Sequence, residues 1–206
     1  MLISGGKAST ANMFYNNARR KVGLVGHWDV VAFDEVGGMK ITDPDVALIM
    51  KDYMANGRFS RGVTQVLADA SLVFIGNLNQ PVESLVQTSA TDLFQPLPKE
   101  FDLALLDRMH FYFPGWEVPK ISKDILTRHY GFVTDYIAEA FKNLRKQNRF
   151  DEAERMFRFG SHVEGRDAIA AKKTASGLLK ILHPGGEWTK EEMAEYVELA
   201  LEGRRR

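Results

Sequence analysis

The stretch Val30-Val31-Ala32-Phe33-Asp34-Glu35-Val36 decides how this chain is read. Four apolar residues run directly into two adjacent carboxylates. A short apolar run bounded by turn residues suits a strand buried on both faces of a parallel sheet. Burying a carboxylate is costly unless it is paired or binds a cation. In open α/β sheets, ligands collect beyond the carboxyl ends of the strands. An Asp there can hold a hydrated magnesium ion against a phosphate, and a neighbouring Glu can polarise an attacking water. An acid at a strand end can equally cap a following helix, so the stretch alone leaves both readings open.

Composition narrows the field. Of 206 residues, 45% are hydrophobic and 26% charged, a globular balance. Lys plus Arg number 27 and Asp plus Glu number 27, so zero net charge gives no global pull toward nucleic acid or anionic membrane. A local basic surface stays possible. The absence of cysteine excludes disulfides, Cys-zinc sites and thiol catalysis. His27, His110, His129, His162 and His183 are scattered without ligand spacing. With no apolar run of spanning length and no secretory leader, the expected location is the cytoplasm, with no membrane partner. Both ends read as cut, as in a fragment of a longer product.

A second apolar run, "ASLVFIGNLNQP", reads as another parallel strand. Between the two, Asp43 and Pro44 open a helix with Val46, Ile49, Met50 and Tyr53 on one face, and Asn56-Gly57 closes it. "RFSRGVTQVLADA" alternates around Gly62 and predicts a β-hairpin. "ANMFY", near the start, reads as a short β-like patch. After about residue 120 the pattern turns helical. Ser122 is read as the cap of a first helix, followed by Phe132, Val133, Tyr136, Ile137, Ala140, Phe141 and Leu144 in amphipathic spacing. Further helices are expected over about 151–159, from Arg166 to Leu182, and from Thr189. Thr189 and Glu192 form a capping-box pattern, with Trp188 and Met193 as a staple. The expected architecture is an α/β part, 1–119, followed by an all-helical part, 120–206.

Four motifs carry chemistry. Residues 30–36 have the form of an ATPase Walker B strand. "GNLNQP" offers Asn77, with Asn79 second, as a polar strand tip beside it; a plain turn is the alternative. "ALLDRMHFYFPGW" offers Arg108 as a finger-like cation; an ion pair is the alternative. "GRDAIAAKKTASGLLKILHP" offers Arg166 at a helix start. Each signal is weak alone, and their order and spacing strengthen them together.

"GLVGHWDVVAFDEV", "MKDYMANGRFSRG", "VFIGNLNQPVESLV", "LLDRMHFYFPGWEVPK" and "RDAIAAKKTASGLLKILHP" closely resemble the Lon-like BrxL family of the BREX phage-defence system, over nearly the whole chain. In that family this segment is an AAA+ module similar to the replicative MCM motor. The resemblance implies an incomplete P-loop (AAA+) parallel-sheet core with an all-helical lid, ring self-association, ATP with magnesium, and DNA binding. It implies that Asp34 (magnesium, through water) and Glu35 are Walker B, Asn77 is sensor 1, Arg108 the arginine finger and Arg166 sensor 2. The hairpin near 58–70 corresponds to a pore hairpin whose Arg58 and Arg61 touch phosphates.

Two departures stand beside it. No G-x-x-x-x-G-K-[ST] occurs. "ISGGKAST" lacks the first Gly at the required spacing, and the resemblance places it after the Walker A helix. This stretch alone is therefore expected to bind ATP weakly or not at all, and to leave an apolar sheet face uncovered. The family's Lon-like C-terminal domain is also not represented. Ser176 and Lys180, at i and i+4, have the spacing of a Ser-Lys pair, as do many helix-surface pairs. Two alternatives to the motor reading are a non-catalytic binding module and a part of an ATP-dependent Lon-type protease.

Overall fold

The structure, a computed structural model, describes residues 1–4, 6–88, 92–157, 159–163 and 165–205. Gly5 of the "ISGGKAST" stretch, Arg158 of the helix expected over 151–159, and Arg206 lie outside them. The chain forms two compact units, Met1–Arg108 and Met109–Arg206.

In the first unit, Val30–Asp34 is the central strand of a three-stranded parallel sheet, flanked by Leu2–Ser4 and Ser71–Phe74. Val31 and Phe33 are fully buried on the pleat. Phe33 stacks on its register partner Phe74 at 5.2 Å between ring centroids, and Phe74 meets Phe101 edge-on at 5.2 Å. Val73 and Ile75, on the far strand and its continuation, stay 40% and 43% exposed, so the apolar sheet is left partly uncovered among the described residues.

A helix, Asp45–Asn56, crosses over between the second and third strands of the sheet. The Asp43 carboxylate accepts the Asp45 N–H at 3.1 Å, the cap read from sequence. The Thr10 hydroxyl also donates to Asp43, and these hydrogen bonds hold its carboxyl below the usual range. Val46, Met50 and Tyr53 are buried, and Gly57 ends the helix in a left-handed conformation. Then comes the expected hairpin, Arg58–Arg61 with Thr64–Leu67. Its two-residue turn puts Gly62 at φ +63, at the first central position, where a II′ turn demands glycine. Phe59 anchors it, fully buried and edge-on to Phe14 at 5.1 Å and Tyr53 at 6.0 Å.

"ANMFY" is not extended as its composition suggested. Thr10–Met13 is a short helix whose Ser9 hydroxyl accepts the Asn12 N–H at 3.3 Å. That cap satisfies an otherwise orphan donor, which outweighs the weak β preference of the aromatics. Only Tyr15–Asn16 pairs, antiparallel with Lys21–Val22.

The described secondary structure of the second unit is helical: Thr134–Arg145, Phe150–Met156, Arg166–Leu182 and Lys190–Arg205. Its core packs Ala175 and Leu179 against Met193 and Val197, ringed by Phe157, Phe159, Trp188, Tyr196 and Leu201. The capping box is formed: the Thr189 N–H donates to Glu192 at 2.7 Å, and the Glu192 N–H to the Thr189 hydroxyl at 3.2 Å.

Two expectations here need correction. Ser122 caps no helix; its carbonyl accepts the Ile125 N–H in a turn. Phe132 and Val133 precede the Thr134 helix, and Val133 is extended. Gly131 and β-branched Val133 are poor at propagating a helix backward. The Thr134–Arg145 helix also buries none of its residues, with Tyr136 64% and Phe141 46% exposed. Periodicity says which residues share a face, not whether anything covers it.

Phe59→Ala is expected to destabilise the first unit by about 3–5 kcal/mol, the usual cost of emptying a packed aromatic site, read as a lower denaturant midpoint. In the second unit, burial, with Lys173 and Arg204 nearby, pushes the His110 pKa down to about 4. Between that value and the ordinary 6.5 the unfolded chain binds a proton the folded chain refuses, so stability rises with pH across the window and is lost as pH falls through it. Urea titrations from pH 4 to 7 should show this slope, and His110→Gln should flatten it.

Candidate functional site

The parallel register brings the carboxyl ends of three strands together. Ser4 is the register partner of Asp34, and Phe33 that of Phe74. The ladder continues one step further: the Ile75 N–H donates to the Phe33 carbonyl at 2.8 Å, and the Val36 N–H to the Ile75 carbonyl at 3.0 Å. Asp34 and Glu35 therefore leave the sheet beside Ile75-Gly76-Asn77. The sequence-read pair and Asn77 share one sheet edge, with Asn77 exposed. Asn79 lies in the bend that follows and is also exposed.

The turn at the acids is unusual. Glu35 has φ 51 and ψ 46, a left-handed conformation that costs a non-glycine residue energy. Three contacts hold it. Its N–H donates to Asp34 Oδ1 at 2.9 Å, its carbonyl accepts the Gly38 N–H at 2.8 Å, and the Ser4 hydroxyl donates to its Oε2 at 3.3 Å. The half-buried Asp34 thus uses one oxygen to shape the turn, and the exposed Glu35 carboxylate stands at the strand tip. Backbone strain of this kind clusters where a side chain must be aimed. Such an edge can bind phosphate-bearing ligands through a carboxylate-held cation and can position a water.

The remaining candidates lie apart from this edge in the chain. Arg108 ends the first unit, past the short helix Leu103–Leu106. Its guanidinium turns back to donate to the Ala104 carbonyl, and its buried Nε has no partner among the described residues. Arg166 is exposed at the first position of the Arg166–Leu182 helix in the second unit. Arg58 and Arg61 flank the hairpin strand but, three residues apart, face opposite sides. Arg58 is exposed, whereas Arg61 Nη1 donates to the Tyr15 carbonyl at 2.6 Å. Of the pair Ser176 and Lys180, the serine is only 5% exposed, and burial, with Arg145 and Arg149 nearby, lowers the Lys180 pKa. Lys7 of "ISGGKAST" sits in a two-residue bridge to Lys40, not at a phosphate-binding turn into a helix.

Sequence reading missed Ser4 and the left-handed turn. The signal for Ser4 was slight, a Leu-Ile pair just before a serine, and its partner is 31 residues away.

No group of three or more His, Asp or Glu able to hold a metal occurs among the described residues. A parallel sheet with an acid pair at the tip of its central strand, flanked by helices, is the arrangement of an α/β ATPase-like domain. The model of the family described as "Lon-like protease BrxL-like, ATPase domain" matches residues 1–206. The chain belongs to that family. It is 50% identical over 208 residues to the Lon-like protease BrxL of Bacillus cereus (strain H3081.97). It is 49% identical over 207 residues to the Lon-like protease BrxL of Escherichia coli O9:H4 (strain HS). Each match covers 100% of this chain and 30% of the relative, so the chain spans under a third of those proteins.

If the Glu35 backbone is held against its own preference, Glu35→Gly should keep or raise thermal stability, and Glu35→Val should lower it by roughly 1–3 kcal/mol. Melting curves of both variants check this; equal midpoints would show the turn to be unstrained.

Proposed function

We propose that this chain is a fragment of a ring-forming AAA+ ATPase that couples ATP hydrolysis to DNA engagement in BREX phage defence. The observation that supports it most is the strained Asp34–Glu35 turn at the tip of the central parallel strand, next to Asn77. Family membership supports a nucleotide as the ligand.

In this reading Glu35 polarises the attacking water and Asn77 orients it from the neighbouring strand end. Asp34 would hold a hydrated magnesium ion, whose charge would offset that of the phosphates. The residues present fit such an ion only in part: one carboxylate of the pair is spent on the turn through Oδ1, so water and phosphate oxygens must complete the shell. Arg108 serves the site of an adjacent subunit. Its orphaned Nε and short-range bond to Ala104 suit a side chain whose proper partner comes with assembly. Arg166, at the start of a helix in the second unit, takes the sensor 2 role, serving the adjacent subunit's nucleotide together with Arg108. No Walker A occurs among the 206 residues, so the phosphate cradle must come from outside this stretch.

A proteolytic activity of the whole protein is a second reading, favoured by the names of the relatives. Nothing in the geometry of Ser176 and Lys180 supports locating it here.

The test is Glu35→Gln in the full-length protein. ATP turnover should fall at least ~100-fold, in the range expected for loss of a general base, while nucleotide affinity stays within about twofold. Unchanged turnover would sink the assignment.

A further inference from the structure

Two loop tips from separate parts of the first unit meet beside the hairpin. One is Gly62-Val63, whose valine is fully exposed at 105%. The other is the loop Asn17–Arg20 between the paired Tyr15–Asn16 and Lys21–Val22. Arg61 ties them together by donating to the Tyr15 carbonyl at 2.6 Å. A Cβ placed on Gly62 would lie 4.0 Å from Asn17 Nδ2, so the two tips are in van der Waals reach.

Their charge sets them apart from the rest of the chain. Residues 15–23 and 57–67 hold Arg19, Arg20, Lys21, Arg58 and Arg61 and no Asp or Glu, in a chain whose acids and bases balance at 27 each. Arg19, Arg20, Lys21 and Arg58 are exposed, and none makes an ion pair among the described residues. Arg20 is held at φ 49, which the Asn16 side chain supports by accepting the Arg19 N–H at 3.0 Å. Three consecutive cations at one tip repel each other, and a polyanion removes that repulsion by displacing counterions.

We infer that the Asn17–Arg20 loop, with Lys21 at the start of the strand after it, is a phosphate-backbone contact for DNA, acting side by side with the hairpin, and that Arg61 positions the pair rather than touching phosphate. The contact is assigned to the sugar-phosphate chain, where clustered positive charge acts through counterion release. This rests on the DNA-engaging reading above and moves its main contact from Arg58 and Arg61 to Arg19, Arg20 and Lys21; Arg58 lies at the base of the hairpin, on the side opposite Arg61.

The experiment is fluorescence anisotropy of a labelled duplex with the full-length protein from 50 to 300 mM salt. The loop variant is Arg19→Gln/Arg20→Asn/Lys21→Gln; asparagine tolerates the left-handed position. Arg61→Gln is the positioning control, and circular dichroism checks folding of both. The loop variant should lose at least tenfold affinity near 100 mM salt and flatten the log K against log [salt] slope by about 2–3, one per lost phosphate contact. Arg61→Gln should weaken binding with the slope kept. A loop variant with unchanged slope, while Arg58→Gln alone flattens it, would overturn the loop assignment and leave DNA engagement standing. Absence of DNA binding by the unmodified protein would overturn both. A slope flattened equally by Arg61→Gln would overturn the division of roles.

Discussion

The parallel pairing of Val30–Asp34 with a strand on each side is what the rest of the first unit is built around. It consumes the backbone polar groups of an apolar segment that could not otherwise be buried. It also sets where the chain must leave the sheet. Because Val36 N–H is claimed by the Ile75 carbonyl, the residue between Asp34 and Val36 has to turn sharply, and Glu35 takes the left-handed conformation. The exposed carboxylate at the strand tip is thus a consequence of the ladder, and the ladder in turn depends on Phe33, Phe74 and Phe101 packing beneath it.

The hairpin depends on the same unit through different forces. Phe59 buries its root between Phe14 and Tyr53, while Arg61 ties its flank to the preceding Tyr15–Val22 pair. A projecting element with a buried aromatic root and a polar brace can carry an exposed tip such as Val63 without collapsing onto the surface. The cost of presenting unpaired cations next to it is electrostatic, and salt screens it.

The second unit follows a simpler logic. Its last two helices close on each other through Ala175, Leu179, Met193 and Val197, with a reciprocal capping box fixing where the last one starts. The Thr134–Arg145 helix shows the reverse case, an amphipathic pattern whose apolar side remains open in the unit. A strong periodic signal in the sequence therefore marks a helix with no buried residue, since periodicity is a property of one element and burial is a property of two.

Much was legible from local chemistry. Apolar runs, the Asp43 cap, the Gly57 stop, the Gly62 turn and the Thr189–Glu192 box each depend on residues within a few positions of each other, and each appears where the sequence places it. The acid pair leaves the end of the central strand, and Asn77 follows the end of the neighbouring strand by three residues. "ANMFY" and Ser122 misled because a single side-chain cap, or the lack of one, outweighed composition. What only the tertiary structure decided were the relations between distant residues: Ser4 with Glu35, Arg61 with Tyr15, the left-handed Glu35, and the meeting of two basic loop tips. Sequence sets propensity and pattern over a few residues, whereas strand register and side-chain reach across 30 or more positions exist only once the sheet has formed.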